Sequence, residues 1–312
     1  MRRKVPVRCG AGEKAELIVS SEPYLSLYIS LNYGDEDEDP LAFKSDFILS
    51  MCEIILNARN GLEPIEKTVI DRAMRLVYRD FLAETTANGG IIDLAKMPIL
   101  EDLYKELRRQ PEKEAKRVAA ALEIYVHGSL SVFNNRTNVD IKNRLVCFDT
   151  KELGKQLKTL GMLVVQDQIW NRVTQNRTIK KTTRYYADEF HLLLKGGLGA
   201  WSVEVWKRYR KWGGVPSGIT QNITELLESP EIQNILSNSD FLALLNQGAG
   251  DREILAKHLN LSPKQMAYVT NAEPGTGLII FGSTVLPFVN KIPKDTNLYR
   301  IMSTRLSESM IG

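Results

Sequence analysis

The chain has 312 residues, 43% hydrophobic and 25% charged, with a formal net charge of +3. This is the balance of a water-soluble globular protein. It excludes a membrane-spanning chain, since no apolar run approaches the ~18–20 residues of a span, and it excludes nucleic-acid binding by bulk charge alone. Cys9, Cys52 and Cys147 are odd in number and far apart, and with three His residues in the chain a structural zinc site has no ligand spacing to rest on. The length suits one large α/β domain or a core domain with an inserted subdomain.

Residues 1–30 show no sustained period and read as a poorly defined segment. The basic start, Met1-Arg2-Arg3-Lys4, is followed by no signal-like apolar core, because Arg8, Glu13, Lys14 and Glu16 interrupt it. The expected location is therefore cytoplasmic, against a membrane complex through partners. Asp35–Asp39 is a run of five like charges that stays solvated; it lacks the spaced ligands and central Gly of a calcium loop.

A mostly helical subdomain is predicted over 31–139. Phe47, Ile48, Met51, Ile54 and Ile55 recur at helical spacing. Ile65, Val69, Ala73, Leu76, Val77 and Phe81 form a second stripe after Pro64, a residue suited to a first turn. Pro98–Leu107 is a third helix, and Pro111 opens a fourth with Val118, Leu122 and Tyr125 or Val126 on one face.

An α/β core is predicted over 140–312. Arg144–Asp149 reads as a short buried strand, with Cys147 a small buried hydrophobe. Thr150 is placed to cap a helix that buries Leu153, Leu157, Leu160, Val164, Ile169 and Val173 on one side. Then come a strand ending at Asp188, a helix over Trp201–Trp212, the Gly213-Gly214 break, and a strand at Val215–Thr220 with Pro216 in its first residues. A helix at Ile223–Leu227, a strand at Phe241–Leu245, helices at Asp251–Leu259 and after Ser262, and a hairpin of 278–281 with 285–289 complete the chain. This alternation predicts a parallel sheet with helices on both faces and an antiparallel edge. Ligands of such sheets bind beyond the carboxyl ends of the strands, here Asp149, Asp188-Glu189, Thr220-Gln221 and Asn246-Gln247.

Phosphoryl transfer to water needs a placed metal, an oriented nucleophile and positive charge. Asp188 is the candidate Mg²⁺ ligand and Glu189 the candidate general base. Gln221 can sense a phosphate or the lytic water with a neutral amide. Candidate cations are Arg210 and Lys211, within Lys207–Lys211, and Arg252; any of them could act on a neighbouring subunit. The plain alternatives are a solvated helix face for Lys207–Lys211, packing roles for Trp201, Trp206 and Trp212, and a structural hydrogen bond for His191.

Leu41–Leu49, Arg144–Gly154, Tyr185–Glu189, Trp206–Gly214, Gly218–Gln221 and Leu245–Gln247 occur in the order seen in one family. From about Leu31 onward the chain resembles the conjugative transfer ATPases of type IV secretion systems. These are the VirB-four or TraC-like motors in the HerA/FtsK branch of P-loop NTPases, here in the versions of Gram-positive conjugative transposons. The resemblance implies a RecA-like sheet with an all-α insertion, ATP and Mg²⁺ as cofactors, and homo-oligomers that are hexamers in the complete family. It also implies partners among secretion proteins at the inner face of the membrane. By the same resemblance Asp188-Glu189 matches the Walker B pair, Gln221 the glutamine of the next strand, and Arg210 and Lys211 a basic segment near the nucleotide.

The departure is the Walker A loop. No Gly-x-x-x-x-Gly-Lys-Ser/Thr occurs, and Gly10–Ala15 places Glu13 in the cradle and Ala15 where the Mg²⁺-binding hydroxyl belongs. The sequence therefore predicts a family member lacking its N-terminal domain and first βαβ unit, with weak or no hydrolysis alone. The alternatives are a non-catalytic subunit that docks on a full-length motor, and a DNA-binding module built on Arg172, Arg177, Lys180, Lys181, Arg184 and Lys207–Lys211.

Overall fold

The protein is seen in a computed structural model. It describes residues 4–8, 14–18, 40–58, 60–90, 93, 95–135, 143–150, 153–194, 197–221, 223, 227, 233, 235–236 and 238–302. The acidic run 35–39 and most of Ile223–Leu227 lie outside these. The chain divides into two compact units, Met1–Thr220 and Gln221–Gly312.

In the first unit, β1 (Lys4–Arg8) and β2 (Lys14–Ile18) pair antiparallel. Four helices follow: α1 (Pro40–Leu56), α2 (Pro64–Ala87), α3 (Leu100–Arg109) and α4 (Lys113–Val126). Their shared core includes Phe47, Ile48, Ile70, Met74, Leu103, Leu107 and Leu122, all buried. The inward stripe of α2 keeps Val69, Ala73 and Phe81 of the expected one, but Ile65 is turned to solvent and Glu66, Ile70, Met74 and Tyr78 are turned in. The reason is local. Glu66 folds back so that the Glu63 N–H donates to its Oε2 at 3.0 Å, and this N-terminal cap takes the inward position of the first turn. The other carboxylate oxygen, Oε1, faces Arg117 at 3.4 Å.

The long helix α5 (Lys155–Thr178) packs against α1, α6 (Gly197–Tyr209) and β3 (Thr183–Ala187). It starts at Gly154 rather than at Thr150, whose carbonyl instead accepts the Leu153 N–H at 3.2 Å. Burial is also not one-sided. Leu160, Leu163, Trp170 and Val173 are buried, and so are Gln166, Asp167, Asn171, Thr174 and Asn176. A helix buried nearly all round must satisfy its polar side chains internally. Lys44 of α1 donates to Asp167 Oδ2 at 2.8 Å, Gln166 to Ser202 Oγ at 2.8 Å, and Asn176 to Thr183 Oγ1 at 2.8 Å. These contacts tie α5 to α1, α6 and β3 in turn. Burial drives the Lys44 pKa down and the Asp167 pKa up, opposed in both by their mutual attraction.

Strand β3 pairs parallel with β4 (Gly214–Gly218), with α6 as the crossover. Trp206 and Tyr209 of α6 pack on Tyr185 of β3, with ring centroids 6.3 and 6.1 Å away. Glycines in β4 admit this close cover: a Cβ on Gly214 would sit 2.3 Å from the Tyr209 ring, and one on Gly218 2.7 Å from Phe190. Trp201 and Trp212 are buried core residues. The opposite face is bare, with Tyr186 64% exposed and Val215 and Ile219 exposed as well.

Arg144–Asp149 is not a buried strand. Its described residues have no ladder partner, Leu145 is exposed, and so is Cys147. An apolar run of this kind is buried only where neighbouring strands enclose it, and among the described residues β3 and β4 pair only with each other.

In the second unit, β5 (Phe241–Leu244), β6 (Thr276–Phe281) and β7 (Thr284–Val289) form an antiparallel sheet. Gly282, at φ +56, and Ser283 make the β6–β7 turn. Leu244 and Leu278 pack with Leu255 of α7 (Ala249–His258) and Met266 of α8 (Pro263–Met266). The chain's last described helix is α9 (Asn297–Met302). Among the described residues parallel pairing is thus confined to β3–β4, and the strand expected at 241–245 joins the hairpin instead. Its inward Leu242 and Leu244 stand opposite Ile280 and Leu278, so hairpin pairing buries its apolar face.

Candidate functional site: the acidic turn after β3

Beyond Ala187 the chain turns through Asp188 and Glu189 into a 3-10 helix, Phe190–Leu194. The ladder runs one step past the strands. Ile219 N–H donates to Ala187 O, and Phe190 N–H to Ile219 O, both at 2.8 Å. The Phe190 ring packs on Trp206 at 4.4 Å between centroids. A buried aromatic anchor and two backbone hydrogen bonds therefore fix the turn while both carboxylates point outward.

Asp188 is exposed, and its Oδ1 accepts the Glu189 N–H at 3.0 Å. Glu189 sits at φ +49, in the left-handed region that disfavours a residue with a Cβ. Its Oε2 lies 3.4 Å from His191 Nδ1, which lies 3.3 Å from Thr220 Oγ1. With Nδ1 protonated the imidazole donates toward Glu189; in the other tautomer it accepts from Thr220. His191 thus stands between Glu189 and Thr220 at the carboxyl ends of β3 and β4, and with Nδ1 protonated it can orient the Glu189 carboxylate. The spacing along the sequence gives no sign of it, because His191 and Thr220 are brought together only by the parallel pairing.

The other expected residues are distributed unevenly. Arg210 and Lys211 are exposed, in the 3-10 turn Arg210–Trp212 just before β4. They stand at the N-terminal end of the β3–β4 pair, about 16 Å from the acidic turn by the rise of five strand residues. Asp149 is at no strand end. Gln221 and Arg252 belong to the second unit, Gln221 exposed and Arg252 in the first turn of α7. There Asn246 Oδ1 accepts the N–H of Ala272, 26 residues on, at 3.0 Å, and Gln247 Nε2 makes a local turn contact, donating to Leu245 O at 3.1 Å.

Among the described residues no group of three or more His, Cys, Asp or Glu could hold a metal by itself. Asp188 fits Mg²⁺ in the way usual beside nucleotides, where one or two carboxylates are supplemented by water and phosphate oxygens. The triphosphate is a poorer fit. Lys14 and Ala15, the near-match to a phosphate loop, begin β2 of an antiparallel hairpin rather than a loop entering a helix.

A parallel β–α–β unit with an acidic turn at its carboxyl end, joined to a helical layer, is a RecA-like arrangement, and a solved structure shares the chain's fold over most of its length. The structure of VirB4 of Thermoanaerobacter pseudethanolicus matches it with a TM-score of 0.71 over 88% of this chain and 74% of that one, at 23% identity. The bacterial conjugative coupling protein TrwB matches at a TM-score of 0.49, 14% identity, and 88% and 74% coverage. TrwB in complex with the ATP analogue ADPNP matches at 0.45, 14% identity, and 87% and 75% coverage. No family model and no curated protein matches the chain.

Proposed function

We propose that the chain is the Walker B-bearing part of a conjugation motor of type IV secretion, whose complete form couples ATP hydrolysis to transfer of DNA or protein. The observation that carries this reading is the Asp188-Glu189 turn at the carboxyl end of parallel β3, in a chain with the VirB4 fold. Asp188 would hold Mg²⁺ and Glu189, steadied by His191, would activate the attacking water. Gln221 would sense the phosphate. Arg210 and Lys211, remote from this chain's own acidic turn, and Arg252 are candidates to act on the nucleotide of a neighbouring copy in a ring.

These 312 residues contain no Gly-x-x-x-x-Gly-Lys-Ser/Thr, and by themselves they are expected to bind ATP weakly and to turn it over little. It would work in a homo-oligomer or docked on a full-length motor, at the cytoplasmic side of a secretion complex. No described helix is long and apolar enough to cross a membrane. The test is co-purification with a full-length VirB4-type motor, followed by ATPase assay of the mixture. Stable co-assembly, with turnover altered by Glu189→Gln in this chain, is the expected result. A chain that stays monomeric and leaves the motor's turnover untouched would overturn the proposal.

A further inference from the structure

The β5–β6–β7 sheet has one packed face and one bare face. The antiparallel register puts Leu242, Leu244, Leu278, Ile280 and Val285 on the face that meets α7 and α8. The other face carries Phe241, Ala243, Ile279, Phe281, Leu286 and Phe288. The Phe288 ring lies over Gly277, where an added Cβ would meet it at 3.0 Å, so that position is filled. Phe241 and Phe281 stand directly opposite one another, 57 and 64% exposed, and Leu286 is exposed as well. A water-facing side of an antiparallel sheet normally alternates to polar residues. Here the sequence has no Asp, Glu, Lys or Arg from Phe241 to Leu245 or from Thr276 to Val289.

Single apolar side chains on a surface need no explanation. A contiguous uncharged face does. Strand addition at the β7 edge does not provide one. Asn290 N–H donates to Gly275 O at 2.7 Å, and alternation along the ladder from there makes Leu278–Pro287 a non-hydrogen-bonded pair. The main-chain N of Pro287 therefore faces the open edge, and as proline it has no donor to offer a further strand. A helix laid across the face is the remaining way to cover it. The same chain presents such a helix. In α9, Leu298 and Ile301 lie three residues apart on one side, and both are exposed. Thr296 Oγ1 accepts the Tyr299 N–H at 3.2 Å and its hydroxyl donates to Pro293 O at 2.7 Å, while Lys291 pairs with Glu273. These contacts hold the link before α9 and leave its apolar side uncovered. A helix of 6 residues is too short to be stable in water by itself and needs a surface to pack on.

We propose that two copies of the chain associate through this region, α9 of each laying Leu298 and Ile301 on the Phe241–Phe281–Leu286 face of the other. The sheet face and the helix stripe complement each other and belong to one chain, so the contact is reciprocal and closes at two copies. That distinguishes it from the head-to-tail packing that builds a ring. Two half-exposed phenylalanines and three aliphatic side chains offer about 500 Å² of apolar surface per dock, and the reciprocal pair about 1,000 Å². This is near the lower limit for a specific interface, so the association is of micromolar strength. Neither the acidic turn nor a nucleotide takes part, and the outcome of the test leaves the Walker B reading untouched.

Sedimentation equilibrium of the full chain without nucleotide, over about 1–100 μM, is the measurement, and a dimer dissociation constant within that range is the expected result. Phe281→Asp on the sheet should weaken the dimer by about tenfold or more, and so should Leu298→Asp combined with Ile301→Asp on α9. All three positions are exposed, so the melting temperature at low concentration should match the parent's. Leu286→Lys, a second exposed position on the face, should act in the same direction. Mixing Phe281→Asp with the α9 double restores one of the two docks and should give heterodimers that neither variant forms with itself. Val215→Asp, on the bare face of the β3–β4 pair, should have no effect. A chain that stays monomeric at about 100 μM would overturn the proposal. So would a dimer indifferent to both sets of variants. Loss of the dimer in Phe281→Asp with full retention in the α9 double would show the two faces pairing with each other, and would overturn it too.

Discussion

The helix α5 and the strand β3 it leads into are joined by four residues and live in opposite conditions. Around α5 many polar groups are buried, and three pairs tie it to its neighbours: Lys44 with Asp167, Gln166 with Ser202, Asn176 with Thr183. Gln168 Nε2 and Trp170 Nε1 are buried without a hydrogen-bond partner among the described residues. Around β3 only one face is covered, and the chain delivers Asp188, Glu189, Arg184 and Tyr186 to solvent. The difference separates two uses of polarity. Beneath α5, polar groups specify one packing and are costly to disturb. At the ends of β3, polar groups are held outward by a buried aromatic anchor, so they can be changed with little cost to folding.

The sharpest way to break this comparison is at the Lys44–Asp167 pair, each side chain 3% exposed. Lys44→Ala leaves a buried carboxylate unpaired and should cost about 3–5 kcal/mol in denaturant unfolding. Replacing both partners, Lys44→Met with Asp167→Leu, should recover most of that loss; a double variant no better than the single would show that the pair is not the source. Next comes Gly218→Ala, whose Cβ would meet the Phe190 ring at 2.7 Å and should cost about 1–3 kcal/mol. A neutral result there would mean the acidic turn is not anchored through Phe190.

The acidic turn itself should behave in the opposite way. Glu189→Gln should change stability by no more than about 0.5 kcal/mol. Glu189→Gly, by relieving the left-handed backbone, should raise stability by about 0.5–1 kcal/mol while removing the candidate base. A loss of stability would mean that the carboxylate has a structural role.

These contrasts also explain what the sequence discloses. Helices α2, α3 and α4 are legible because Pro64, Pro98 and Pro111 punctuate apolar spacing, and β6–β7 because Gly282-Ser283 separates two strand-like runs. The acidic pair is legible as the tip of an apolar strand. The Lys44–Asp167 pair is not, since its partners are 123 residues apart and each sits in an ordinary helical pattern. Nor is the separation of Arg210 and Lys211 from Asp188, because α6 returns the chain to the start of β4 and not to its end. Arg144–Asp149 has strand-like composition, yet composition cannot supply the neighbouring strands that would bury it.

Two smaller effects sharpen the picture of the helical layer. Burial would raise the Asp71 pKa, but hydrogen bonds from Ser45 and Arg75 outweigh it and hold the carboxyl below its usual value. Its contribution, about 1 kcal/mol for a part-buried hydrogen-bonded carboxylate, is present above the ordinary carboxylate pKa and is lost as pH falls through the lowered one. Asp71→Asn should flatten the acid limb of the stability–pH curve by that amount. Finally, native-state alkylation read by peptide mass spectrometry should label exposed Cys147 and spare Cys52, whose burial pushes its pKa up to about 12. Protection of Cys147 would restore the buried strand that the sequence suggests.

The proposal that Asp188-Glu189 is a Walker B pair, in 312 residues that contain no Gly-x-x-x-x-Gly-Lys-Ser/Thr, stands or falls with nucleotide binding. Calorimetric titration of the full chain with ATP at saturating Mg²⁺, with phosphate release followed in parallel, tests it most directly. The account predicts no micromolar binding and no turnover by the chain alone. Micromolar binding accompanied by turnover that disappears in Glu189→Gln would contradict it.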